Sequence, residues 1–136
     1  QELIDRGLHV VVVGAPHEHA QVEPLLELDG VLNLLPEMTI GRLMAVIATS
    51  HIVIANDSAA LHMAVGFDRP AIGLFGPTNP ARVGPYHRGD AVIAAPVNYD
   101  NVHYRDSSLD NSIMKQITTQ EVLNKVNDFL KGKQRE

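Results

Sequence analysis

The chain has 136 residues, enough for one domain with a core of its own. Hydrophobic residues make up 45% and charged residues 20%, an ordinary globular composition. A formal charge of −5, with Lys and Arg scattered apart from residues 131–135, argues against a nucleic-acid partner, which needs a basic face. The absence of cysteine rules out a disulfide frame or thiolate metal site and fits the cytosol.

Residues 1–7 read as the last turns of a helix closed by Gly7, as if the chain were a piece excised from a longer protein, and no signal peptide is visible. Residues 8–13 form an apolar run stopped by Gly14, Ala15 and Pro16, the pattern of a strand covered on both faces. A helix is expected within residues 19–28, with Val22, Leu25 and Leu26 on one side. Pro24 requires that helix to start late. Residues 31–35 are a short second strand ended by Pro36.

Residues 39–50 have Ile40, Leu43, Met44 and Ile47 on one stripe, which predicts an amphipathic helix. A third strand over residues 52–55 leads into a helix over residues 58–65, with Gly66 at its end. A fourth strand over residues 71–75 and a fifth over residues 91–95 follow. Residues 98–111 are polar and aperiodic, a surface loop. A last helix spans residues 118–131, opened by a Thr118/Glu121 capping box, with Val122, Val126, Phe129 and Leu130 on one face. Apolar strands alternating with helices predict an α/β fold, a Rossmann-like parallel sheet with helices on both faces. Such sheets bind ligands beyond the carboxyl ends of their strands.

After the third strand come Asn56, Asp57, Ser58, Ala59, Ala60, Leu61 and His62. Asp57 or Ser58 is placed to cap the next helix. Free amides at a helix start, with the positive end of its dipole, suit phosphate oxygens. Small side chains at Ser58, Ala59 and Ala60 allow a pyrophosphate close approach, and the Ser58 hydroxyl adds a donor. His62 lies one turn further on the same side. An ordinary capped helix with a half-buried histidine is the alternative. Asp57 carries the same charge sign as phosphate, and like charges repel.

After the fourth strand, Gly76, Pro77 and Thr78 begin a loop of three prolines and two glycines reaching Tyr86. Gly76 and Thr78 lie beside the Asp57–His62 turn if the two strands are neighbours. After the first strand, Glu18 is placed to accept hydrogen bonds from ribose hydroxyls. His17 and His19 share a face if their segment is extended, but two ligands without a third make a poor zinc site, and no metal is expected. Met38 is positioned to pack on a nucleobase or at the helix entry.

Together these pieces resemble glycosyltransferase family 9, which includes the lipopolysaccharide heptosyltransferases. The resemblance is carried by Leu35, Pro36, Glu37, Met38 and Thr39, by residues 55–64, and by residues 74–80, in the expected order and spacing. It implies the C-terminal half of a GT-B-type glycosyltransferase, here residues 1–136, with the N-terminal acceptor domain absent from this chain. It also implies an ADP-sugar donor, ADP-heptose above all, and a lipopolysaccharide core acceptor held through the other half. Asp57, Ser58, Ala59, Ala60 and His62 are then assigned to the pyrophosphate and sugar, Glu18 to the ribose, Met38 to the adenine region, and Gly76 and Thr78 to the cleft wall.

Many relatives carry threonine and glycine where this chain has Ser58 and Ala59, so donor preference is open to change. The general base and a phosphate-binding basic residue of the family belong to sequence preceding this chain. No catalytic residue and no cofactor is therefore expected here, and the isolated chain should bind without turnover. The full enzyme is expected in the cytoplasm, with peripheral association at the inner face of the bacterial inner membrane. A nucleotide-sugar epimerase half of the same architecture, or a nucleotide-sugar binding module without chemistry, are the alternatives.

Overall fold

The structure is a computed structural model, and it describes residues 1–101 and 112–132. The chain divides into two compact units, Gln1–Ala45 and Val46–Glu136.

The first unit opens with helix α1 (Glu2–Asp5), closed as expected by Gly7, whose φ of +79° places it in the left-handed region. Strand β1 (Val10–Val12) pairs in parallel with β2 (Val31–Asn33), and helix α2 (His19–Leu26) makes the crossover. Two expectations need correction here. Helix α2 does not start late: it begins at His19, with Pro24 inside it. A proline there removes the bond to the carbonyl four residues back, but α2 ends two residues later, so only its last turn is affected. Strand β2 stops at Asn33 rather than running to residue 35. The Asn33 side-chain oxygen accepts a hydrogen bond from the Leu35 amide (3.0 Å) and turns the chain into a 3-10 turn, Leu35–Glu37, that buries Leu35. The next helix, α3 (Ile40–Thr49), starts in the first unit and ends in the second; it is opened by Thr39, whose hydroxyl accepts from the Arg42 amide (3.2 Å). Its apolar stripe is only partly covered: Ile47 is buried, but Ile40 is 72% and Met44 41% exposed.

In the second unit β3 (Val53–Asn56), β4 (Ala71–Phe75) and β5 (Val92–Ala94) form a parallel sheet in the order β3-β4-β5. Helix α4 (Ala59–Gly66) joins β3 to β4, and a four-residue helix α5 (Pro80–Val83) lies between β4 and β5. The last helix is α6 (Thr119–Gly132). Strand β4 is the core. Ala71, Ile72, Gly73 and Phe75 are all buried, and successive side chains point to opposite faces, so both faces are covered. Leu61 and Ala64 of α4 and Val126 of α6 are buried too.

The capping box that opens α6 is present. Glu121 accepts from the Thr118 amide (2.7 Å), while the Thr118 hydroxyl accepts from the Glu121 amide (3.2 Å). The bond from the Thr118 amide, and a second from its hydroxyl (2.7 Å), hold the Glu121 carboxyl below its ordinary range. Tyr99–Asn101 is a 3-10 turn; the rest of the expected loop, residues 102–111, lies outside the described residues, as do residues 133–136.

The expected parallel strands with helical crossovers are therefore present, but they pair in two separate sets among the described residues. Val11 (39%) and Ile54 (38%) are exposed in runs that the sequence marks as covered. Helix α4 approaches β4 closely because residue 73 has no side chain. A β-carbon there would stand 2.6 Å from Leu61 Cδ2 and 2.8 Å from Phe75 Cε2. Gly73→Ala is expected to cost about 1–3 kcal/mol through this overpacking, measured by urea denaturation; an unchanged midpoint would show that the Leu61 side chain yields freely.

Candidate functional site

Strands β3 and β4 are neighbours with Asn56 opposite Leu74, so the turn after β3 and the loop after β4 leave the same sheet edge side by side. The condition that linked Gly76 and Thr78 to the Asp57–His62 turn is met.

At the start of α4 the N-cap is Ser58, with extended backbone (φ −153°, ψ 169°). Its hydroxyl makes no cap hydrogen bond, contrary to the simplest capping expectation, so it is not engaged at the helix start. The Ser58 carbonyl accepts from the Leu61 amide (3.2 Å), while the amides of Ala59 and Ala60 precede the first acceptor a helix provides. Ser58 and Ala59 are exposed and Ala60 is half-buried. No acidic residue occupies the first turn, although Asp57 lies directly before the N-cap. Asp57 and His62 face each other, with Asp57 Oδ1 3.9 Å from His62 Nε2, beyond hydrogen-bonding distance. The imidazole is about half exposed and the carboxylate 23% exposed, so both polar groups keep access to a ligand at the turn.

Beyond β4, Gly76 is buried and Thr78 half-buried. Asn79 caps α5, its side-chain oxygen accepting from the Ala81 amide (2.9 Å), and Pro80 occupies the first helical position. Met114, which sequence reasoning did not single out, lies over the bare face of Gly76. Residues 76 and 114 are far apart in the chain, and no local pattern links them.

The remaining assigned residues lie in the first unit. Glu18 ends a 3-10 turn, Pro16–Glu18, and its Oε2 accepts from the Ala15 amide (2.7 Å). One carboxylate oxygen thus holds the turn after β1, and a β-carbon on Gly14 would come within 3.0 Å of that same oxygen. His17 and His19 do not share an extended segment: His17 is inside the 3-10 turn and His19 opens α2. Met38 is half-buried and extended, between the 3-10 turn and α3. Its neighbour Glu37 pairs with Arg42, whose guanidinium holds the carboxyl below its ordinary range. Among the described residues no helix is long and apolar enough to cross a membrane.

The family model for glycosyltransferase family 9 (heptosyltransferase) matches residues 1–111. The chain belongs to glycosyltransferase family 9. Lipopolysaccharide heptosyltransferase 1 of Escherichia coli O18:K1:H7 (strain RS218 / NMEC) is 33% identical over 97 residues, which cover 71% of this chain and 30% of that protein. Lipopolysaccharide heptosyltransferase 2 of Escherichia coli K12 is 28% identical over 137 residues, covering 96% of this chain and 39% of that one. The family 9 glycosyl transferase of Veillonella parvula shares the fold with a TM-score of 0.77 at 21% identity, over 93% of this chain and 37% of the other. Escherichia coli heptosyltransferase WaaC, solved with ADP, matches with a TM-score of 0.70 at 25% identity, over 94% of this chain and 36% of the other. This family 9 chain spans about a third of the length of the curated relatives it matches.

Proposed function

We propose that this chain is the C-terminal, donor-binding domain of an inverting heptosyltransferase that moves heptose from ADP-heptose to a lipopolysaccharide core acceptor. The observation that carries the reading is the turn at Asp57–His62. There a serine hydroxyl that makes no cap hydrogen bond, a first helical turn without acidic residues and an Asp/His pair leave one sheet edge together. The names of the relatives support heptose transfer, and WaaC solved with ADP supports an adenosine diphosphate ligand. Family membership favours transfer over the epimerase alternative.

In this scheme the acceptor hydroxyl, deprotonated by a base from outside this chain, attacks the anomeric carbon of the heptose. The bond from that carbon to the diphosphate oxygen breaks, and ADP leaves with the electron pair. The amides of Ala59 and Ala60 are oriented by the helix before the reaction, so they stabilise the growing charge without reorganising, and the Ser58 hydroxyl adds a donor. His62 adds a donor to the same oxygens, and Asp57, repelled by phosphate, accepts from sugar hydroxyls. The full enzyme works in the cytoplasm at the inner face of the bacterial inner membrane.

Titration calorimetry with ADP, ADP-heptose and UDP tests the reading: both adenosine ligands are expected to bind more tightly than UDP, and UDP binding best would overturn it. His62→Ala is expected to weaken ADP affinity about tenfold, the size of one lost charge-assisted contact. Unchanged affinity in that variant would remove His62 from the site. Heptose transfer by the isolated chain would contradict the placement of the base elsewhere.

A further inference from the structure

We propose that Met114 is a positioning residue of the donor site, acting through the loop that begins at Gly76; the proposal rests on the donor-site reading above. A β-carbon on residue 76 would stand 2.7 Å from Met114 Cγ and 3.6 Å from its Cα, and closer still to the sulfur. The thioether therefore occupies the volume a side chain at 76 would take, and Gly76 is buried beneath it. Methionine suits such a recess, because its unbranched, polarizable chain fills irregular gaps.

Met114 is itself held. It opens a 3-10 turn, Met114–Gln116, in which the Ile117 amide donates to its carbonyl (3.1 Å). The Thr118/Glu121 capping box follows directly and starts α6, whose Val126 is buried. The loop after β4 is thus tied through one side chain to the entry of the last helix. On its other side the loop borders the turn at Ser58, since β3 and β4 are adjacent and in register. Met114 touches no substrate in this scheme. It sets the height at which Gly76, Pro77 and Thr78 meet the donor, and misplacement of about 1 Å in such supporting shells is enough to weaken function strongly.

The test is ADP titration calorimetry on the chain and on Met114→Ala, Met114→Leu, Gly76→Ala and the double variant Gly76→Ala/Met114→Ala, each below its melting temperature. Met114→Ala is expected to weaken ADP binding about five- to tenfold, and Met114→Leu to stay within about twofold, as coupling through a filled contact requires. Gly76→Ala is expected to weaken binding because its methyl displaces the thioether. The double variant should bind more tightly than Gly76→Ala alone, since truncation at 114 reopens the space. A purely structural role would lower melting temperatures and leave these affinities equal. If the unaltered chain binds no ADP, the donor-site reading falls and this proposal with it. If it binds and Met114→Ala binds equally well, only the role of Met114 is overturned. Should Met114→Ala not fold, Met114→Val, which shortens the side chain but keeps it apolar, decides: weakened binding supports the role, and unchanged binding overturns it.

Discussion

Glutamate in place of Ala59 is expected to abolish measurable ADP binding while leaving the fold as stable as before, or slightly more so. Ala59 is the first residue of α4, exposed, and follows the Ser58 N-cap. For folding, a carboxylate in the first turn interacts favourably with the helix dipole, worth about 0.3–1 kcal/mol, and α4 has none there now. For binding, the same carboxylate competes for the amides that would hold the diphosphate and repels its charge. Like-charge juxtaposition in an interface costs several kcal/mol, which corresponds to roughly a hundredfold loss of affinity or more. The two effects have opposite signs, so calorimetry and a thermal melt on one variant separate them. A higher melting temperature with ADP affinity intact would remove the phosphate site from this helix start.

Phe75→Ala is expected to bring the second unit close to unfolding. Phe75 is completely buried at the end of the central strand, beside the close approach of Gly73 and Leu61. Truncating a buried phenylalanine costs about 3–5 kcal/mol, from lost transfer energy and the cavity left behind. Against a total stability of about 5–15 kcal/mol, that is a large share. Urea denaturation should show the midpoint falling with little change in slope. A loss under about 1 kcal/mol would mean that the sheet and α4 collapse into the space, which the close contacts around Gly73 argue against. Because Phe75 directly precedes Gly76, ADP affinity should fall too, whereas Ala59→Glu separates affinity from stability.

Much of this chain was legible before any coordinates. The strand over residues 71–75 was placed to the residue, because a short run of buried apolar residues between turns has few other solutions. The Thr118/Glu121 box marked the start of α6 because a capping box is a local, reciprocal pair of hydrogen bonds. The family was legible from three ordered motifs, now matched over residues 1–111. What failed was the ends and faces of elements. Strand β2 ended early at an Asn33 side-chain turn, and Pro24 was accommodated inside α2, because each outcome depends on competing local bonds of similar strength. The stripe on α3 was a correct helix signal but a poor guide to burial, since Ile40 and Met44 stay largely exposed.

The turn at Asp57–His62 shows the division most clearly. Sequence by itself determined the fold class, the family, and a helix starting with small residues after β3, all properties set by near neighbours in the chain. Only the structure shows that the Ser58 hydroxyl leaves the cap unmade and that Asp57 and His62 face each other at 3.9 Å, both local features of the turn. Tertiary structure alone decided that Gly73 admits Leu61 and that Gly76 lies under Met114. Those are contacts between residues brought together by the packing of strands and helices, and no periodicity along one segment encodes which distant side chain fills a given space.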